Sequence, residues 1–187
     1  MWRGVFIGLL LIAAGCVAHQ PASNRTVAAY EVPLHTASDR SEFLALVRQE
    51  ALAEGLHLDA STDGQLRDMA DAIPQGGMTV HAAVWRGLED NHSEATIMDR
   101  HDHPGLVWIA FAQGEDIELA TRFRDRLMVR ILDRWPETLA LPVMPTGAIP
   151  LHGHLIKTPS GYKLDPAYVS SYEADPSSPL VAQPAAD

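Results

Sequence analysis

Residues 78–112, MTVHAAVWRGLEDNHSEATIMDRHDHPGLVWIAFA, decide the fold of this chain. Three runs rich in β-branched and aromatic residues are separated by turn-forming residues, a pattern that is typical of consecutive strands. Asp90 and Asn91 favour a hairpin turn after the first run, and the His-Pro-Gly sequence at 103–105 favours a second turn. The stretch therefore predicts a three-stranded antiparallel meander, with strands at residues 78–86, 93–99 and 106–112.

One main helix is predicted before the meander in the chain and one after it, both on the same face of the sheet. The first opens at residues 38–39, where Glu42 stands in the capping-box position, and it ends at Gly55. The second runs over residues 115–135, with apolar side chains every three or four positions, and Pro136 stops it. Each helix therefore has an apolar stripe that a sheet can bury.

The remaining elements are short. Residues 62–73 favour a small helix, and the proline-rich chain beyond residue 143 is expected to form an extended coat over the domain. Further strands are predicted at residues 26–34, 56–58 and 139–143. The predicted fold class is α+β: an antiparallel sheet, made of the three-stranded meander plus edge strands, packed by two main helices.

Composition limits the class of protein. The chain has 187 residues, of which 47% are hydrophobic and 20% charged, which is typical of one globular domain. Its net charge of −10 argues against a nucleic-acid binder, and its single cysteine excludes an internal disulfide. We expect one domain over residues 26–172, followed by a disordered tail at 173–187, where three prolines occur without an aromatic residue.

The amino end has the layout of a secretory signal. Residues 1–16 read MWRGVFIGLLLIAAGC: one basic residue, an apolar segment at 5–14, and small residues before Cys16. Ten apolar residues are too few to span a bilayer as a helix. The last four residues, Ala-Ala-Gly-Cys, resemble the lipobox of bacterial lipoproteins, with Ala13 in place of the usual branched residue.

The resemblance to bacterial lipoproteins implies a processing pathway and a location. Residues 1–15 are expected to be removed as a signal peptide, and Cys16 to receive a diacylglycerol on its thiol and a further acyl chain, such as palmitate, on its amine. Residues 16–25 then form a short flexible tether. Because Val17 follows the cysteine instead of an aspartate, the resemblance favours the outer membrane, with the domain facing the periplasm.

Nine histidines include two His-x-His pairs, at residues 101–103 and 152–154. In an extended chain, residues two apart point to the same side, so such a pair can offer two nitrogens to one metal ion. The sequence leaves two interpretations open, exposed turn residues or a site for zinc or copper. The ligands of that site would be His101 and His103, with His81 or Asp99 completing it.

The long predicted helix carries a column of arginines at intervals of four: Arg122, Arg126, Arg130 and Arg134. Like charges at this spacing repel unless acidic residues intervene or an anionic partner faces them. Glu118, Asp125 and Asp133 are the acidic residues near the column on the same helix. The column is thus either a solvated face or a contact for a protein or lipid. For a contact, changing Arg126 and Arg130 to glutamate is expected to abolish binding while the fold survives.

Sequence motifs of catalysis do not occur in this chain. A nucleophile elbow, a zinc-protease helix motif, a phosphate loop and a dinucleotide fingerprint are all missing, so neither catalytic residues nor a cofactor is predicted. Trp85, Trp108 and Trp135 are either core residues or an aromatic ligand patch. The leading interpretation is a non-enzymatic accessory or binding role in the cell envelope, with an envelope protein as partner and no nucleic acid. A metal-binding lipoprotein and a hydrolase of unknown type are the alternatives.

Overall fold

The structure is a computed structural model that describes residues 24–60, 78–87, 93–100, 103 and 105–173. Several sequence predictions lie outside the described residues: the signal peptide with Cys16, most of the tether, the helix at 62–73, the turn at Asp90 and Asn91, His101, and the tail beyond residue 173.

The described residues form an α+β fold around a mostly antiparallel, eight-stranded sheet, which confirms the predicted α+β class. The strands lie side by side in the order β2-β3-β4-β5-β1-β6-β8-β7. In chain order they are β1 Thr26–Pro33, β2 His57–Asp59, β3 Met78–Trp85, β4 Ser93–Arg100, β5 Leu106–Ala112, β6 Leu139–Leu141, β7 Leu155–Thr158 and β8 Gly161–Leu164.

Strand β1 lies inside the sheet, although it is the first strand of the chain. It pairs antiparallel with β5 on one side and with β6 on the other. On the far side of β5, strands β4 and β3 follow in antiparallel pairing, with a register shift at His81 between Val80 and Ala82. The amino end of the domain therefore enters next to the end of β5, where Thr26 pairs with Ala112.

Helices α1 (Ala37–Ala53) and α2 (Ile117–Arg134) pack on one face of the sheet. The predicted cap of α1 is wrong: Thr36 is the N-cap, and its side chain exchanges hydrogen bonds with Asp39. In this capping box the Asp39 backbone N–H donates to the Thr36 hydroxyl oxygen, and the Thr36 backbone N–H donates to the Asp39 carboxylate. Among the described helices, none has the length and apolar character needed to cross a membrane.

Both faces of the sheet are buried, because strand residues alternate between two cores. The helices cover Val107, Ile109 and Phe111 of β5, whereas Trp108 and Ala110 point to the opposite face. On that opposite face the partly buried side chains come from the carboxyl-terminal part of the domain: Val143, Ile149, Leu155 and Tyr162. The chain after α2 is therefore needed to complete the second core.

The proline-rich chain does not remain the extended coat that its sequence predicts. It contains a β7–β8 hairpin that adds two strands to the sheet, and two 3₁₀ helices, His152–His154 and Pro166–Ser171. Because proline lacks a backbone N–H, it cannot donate a hydrogen bond to a neighbouring strand, and a proline-rich sequence therefore predicts loop instead of strand. Here Pro159 lies in the hairpin turn and Pro166 begins a 3₁₀ helix, so neither interrupts strand pairing.

Gly161 is required where the hairpin joins the rest of the sheet. It pairs in parallel with Ala140 of β6, and its φ angle is +141°. A Cβ atom at this position would lie 2.6 Å from the Ala140 carbonyl oxygen. We expect Gly161→Ala to lower the free energy of unfolding by about 2–3 kcal/mol, measured by urea denaturation. Gly153→Ala, where a Cβ meets no atom within 4 Å, is the matched control, and an equal loss in both variants would contradict this account.

Candidate functional site

A buried glutamate lies on the sheet face opposite the helices. Glu31 of β1 is 3% exposed, and each of its carboxylate oxygens accepts a hydrogen bond. The indole N–H of Trp108, its direct neighbour on β5, donates to Oε2 over 2.9 Å. The Tyr162 hydroxyl of β8 donates to Oε1 over 2.6 Å. With His152, these three residues are referred to below as the Glu31 centre.

The Glu31 centre is surrounded by further charged and ionisable groups. Within the centre, His152 Nε2 lies 3.9 Å from Glu31 Oε2, and the His152 ring packs edge-on against Tyr162 with 5.5 Å between centroids. A further charged group lies beside the centre. Arg100 is 5% exposed, and its guanidinium carbon lies 5.3 Å from the centroid of a Trp108 ring. Buried charges are tolerated when they are paired or hydrogen-bonded, and this arrangement supplies both signs. The Glu31 carboxylate thus joins the carboxyl-terminal chain to the sheet.

Tyr162 is expected to make the stability of the protein sensitive to alkaline pH. Burial, and then its hydrogen bond to Glu31, raise the pKa of the Tyr162 hydroxyl well above its usual value. The folded protein therefore holds this proton more tightly than the unfolded chain does. The stability from this group is complete below about pH 10, the ordinary tyrosine pKa, and is lost as the pH rises beyond it.

The tyrosinate absorbance, followed during a titration of the folded protein, checks this expectation. A component that ionises at unusually high pH should be seen, and Tyr162→Phe should remove that late component. Tyr168→Phe, which changes a tyrosine outside the Glu31 centre, should leave it. A late component that persists in Tyr162→Phe would contradict the assignment.

The two His-x-His pairs meet through one member of each pair. The His103 and His152 rings lie 4.8 Å apart, centroid to centroid, in an edge-to-face arrangement. His154 has other neighbours: its ring stacks on Tyr168 at 3.8 Å, and its Nδ1 lies 2.8 Å from the Tyr172 hydroxyl oxygen. Because His152 and His154 lie on a 3₁₀ helix instead of a strand, the rule that residues two apart share a face does not hold for them.

The predicted cluster around His81 and Asp99 is divided by the sheet. His81 Nδ1 lies 3.6 Å from Asp99 Oδ2, so these two residues are close together. Arg40 of α1 donates to both oxygens of Asp99, with 2.6 Å to Oδ2, on the helix side of the sheet. His103 instead contacts His152 on the opposite side. Within the part of the chain that the structure describes, no three His, Cys, Asp or Glu residues are arranged to hold a metal ion.

The arginine column of α2 faces acidic residues of α1. Glu118 of α2 pairs with Arg122 as the sequence suggests, whereas Asp125 pairs with Arg124 outside the column. The hydrogen bonds from Arg134 hold the pKa of the exposed Glu42 carboxyl below its usual value. The pairs between the helices form what is called the Arg–Glu ladder below: Arg122 with Glu54 (3.4 Å), Arg126 with Glu54 (2.8 Å) and Glu50 (3.2 Å), Arg130 with Glu50 (2.6 Å), and Arg134 with Glu42 (2.6 Å).

The Arg–Glu ladder changes the meaning of a charge-reversal experiment on the column. Glu50 is only 4% exposed and takes part in ion pairs with Arg126 and Arg130. Glutamates at positions 126 and 130 would therefore repel acidic residues of α1 across the helix interface. We therefore expect such a change to lower the stability of the fold, in addition to removing any contact that the column makes with a partner.

The tryptophans at positions 85, 108 and 135 are core residues. Trp85 and Trp108 are 7% and 1% exposed in the core opposite the helices, and Trp135 is 6% exposed in the helix-side core. Since Trp135 lies on the other side of the sheet, the three side chains do not form one aromatic patch.

Comparisons with known proteins give this chain no relatives to draw on: no family model matches it, and neither a curated protein nor a solved structure does.

Proposed function

We propose that this chain is a lipid-anchored lipoprotein of the periplasmic side of the outer membrane, with a non-enzymatic accessory or binding role in the cell envelope. We also propose for its domain the detailed architecture that the sequence predicts: a three-stranded meander with edge strands, packed by two main helices. The single observation that supports the role is the place where the tether meets the domain. Residues 17–25 reach at most about 30 Å from Cys16, and Thr26 then begins β1 at one end of the sheet.

The end of the sheet away from the tether is the surface we assign to partner binding. Strand β1 is eight residues long, so this end lies about 26 Å from the point where the tether enters the domain. It carries a partly exposed polar cluster: the side chains of Arg40, His81 and Asp99 are 31%, 29% and 28% exposed. This distal cluster, defined by those three residues, combines a cation, an anion and an imidazole within reach of a protein partner.

Photo-crosslinking in cells tests the proposal with the full-length, lipidated protein. A photoreactive amino acid replaces His81, and the adducts are purified and identified by mass spectrometry. We expect one envelope protein to be recovered repeatedly. The control places the same group at Leu132 of α2, which is 45% exposed, and the partner adduct should be missing there. The binding role is contradicted if position 81 gives no adduct, or the same adducts as position 132.

A metal-binding lipoprotein is the second candidate function, and the contact between His103 and His152 favours it. The sequence predicts His101 and His103 as ligands, with His81 or Asp99 completing the site. For this candidate function the ligand pair becomes His103 and His152, because these two rings are neighbours. The test measures zinc and copper bound per chain in the purified full-length protein. His103→Ala and His152→Ala should each lose the metal, whereas His154→Ala should keep it. A wild-type protein that binds neither metal stoichiometrically would refute this candidate.

A further inference from the structure

The tether enters the domain beside the first turn of α2. The Arg25 carbonyl oxygen accepts a hydrogen bond from the Gln113 N–H over 2.7 Å, and Asp116 is the N-cap of α2 only three residues later. The last turn of α1 lies at the same end, because Glu54 pairs with Arg122 in the second turn of α2. This end of the domain is referred to as the tether end.

The tether end exposes large aliphatic side chains. Ile117, the first residue of α2, is 58% exposed, and Leu52, in the last turn of α1, is also 58% exposed. Val27, the second residue of β1, is 40% exposed at the same end. Single exposed aliphatic residues are ordinary on a protein surface, but these three lie at the same end of the domain, where the chain leaves toward its anchor.

We propose that the tether end rests on the membrane surface, with Leu52 and Ile117 entering the boundary between headgroups and acyl chains. This inference rests on the proposed lipid anchor. The nine residues between Cys16 and Thr26 hold the tether end within about 30 Å of the bilayer. A tethered group has a high effective concentration, so a contact too weak to recruit a free protein is populated once the lipid is attached. Aliphatic side chains at this depth are a common means of interfacial binding.

The charges at this end select the kind of bilayer. The exposed acids at this end are paired, Glu118 with Arg122 at 3.0 Å and Asp116 with Arg86 at 3.9 Å, so the local charge is nearly balanced. The net charge of −10 of the whole chain opposes a strongly anionic surface. The favoured occupant is therefore a bilayer of zwitterionic phospholipid, such as phosphatidylethanolamine with phosphatidylcholine.

An environment-sensitive fluorophore placed at Ile117→Cys tests the contact in the full-length, lipidated protein on such vesicles. We expect a blue-shifted emission and strong quenching by nitroxide-labelled lipid. Val129→Cys, on α2 and 69% exposed, is the matched control and should report water. A second reporter at Leu52→Cys should also be quenched, and this quenching should fall when Ile117→Asp is added.

The outcomes separate failure of the contact from failure of the anchor. The lipid blocks the Cys16 thiol, so the unsubstituted protein should take no fluorophore and should float with the vesicles. If it takes the label and stays in solution, the proposed anchor is wrong. If it floats while the reporters at 52 and 117 show the same quenching as the one at 129, the anchor stands and the membrane contact is refuted.

Discussion

Cys16→Ser is expected to move the protein from the membrane fraction to the soluble periplasmic fraction. A serine cannot form the thioether that carries the diacylglycerol, so every acyl chain of the anchor is lost. Each buried CH2 group contributes about 0.8 kcal/mol to membrane binding, and several acyl chains make anchoring effectively permanent. The change in distribution should therefore be nearly complete. Fractionation followed by an alkaline wash of the membranes measures it, and mass spectrometry of the amino-terminal peptide detects the lipid.

Val17→Asp is the matched control for the anchoring experiment. It leaves Cys16 in place, so the protein should remain lipidated and membrane-bound, and the resemblance to lipoproteins predicts retention in the inner membrane. Density-gradient separation of the two membranes should then show a shift in position without release. A Cys16→Ser protein that stays in the washed membrane pellet would refute the lipid anchor.

The double variant Arg126→Glu, Arg130→Glu is expected to lower the free energy of unfolding by about 3 kcal/mol. Glu50 is buried, and both of these arginines pair with it across the helix interface. Breaking a buried ion pair is costly because the remaining charge stays desolvated, and two new carboxylates add repulsion. The arginine side chains are 52% and 49% exposed, which keeps the loss near the lower end for such pairs. Urea denaturation followed by circular dichroism gives the value.

Two further variants separate repulsion across the Arg–Glu ladder from a simple loss of pairing. Arg126→Gln with Arg130→Gln removes the pairs without adding negative charge, so its loss of stability should be smaller. Adding Glu50→Arg and Glu54→Arg to the double glutamate variant swaps the charges and should recover part of the stability. A double glutamate variant as stable as the unsubstituted protein would show that the ladder does not hold α1 against α2.

The central strands and both main helices were predictable because their signals are local. The runs of β-branched and aromatic residues in 78–112 and the apolar stripe of the long helix depend only on neighbours along the chain. The arginine column was equally visible, but its partners were not. Glu50 lies on α1 and Glu54 is the C-cap of α1, and no sequence rule says which face of α1 meets which face of α2.

The Glu31 centre was missed because its contacts are remote in sequence. Glu31 and Tyr162 are 131 positions apart, and His103 and His152 come from two turns that the sequence does not relate. One local signal was available: Glu31 is an acidic residue inside an otherwise apolar strand, Val-Ala-Ala-Tyr-Glu-Val at 27–32. A charge at a strand position that is expected to be buried indicates a paired group. The proline-rich hairpin was missed for the opposite reason, since its composition suggested loop.

The single parallel residue pair between Ala140 and Gly161 divides the sheet into six strands and a two-stranded unit held along a seam. Because few backbone hydrogen bonds cross this seam, β7 and β8 are expected to detach together before the rest of the domain unfolds. In hydrogen exchange their amides should form one early group, distinct from the slow amides of β1 and β5. Each such opening would carry Tyr162 away from Glu31 and admit water to Trp108. We therefore expect the core on the face opposite the helices to open to water more often than the whole domain unfolds.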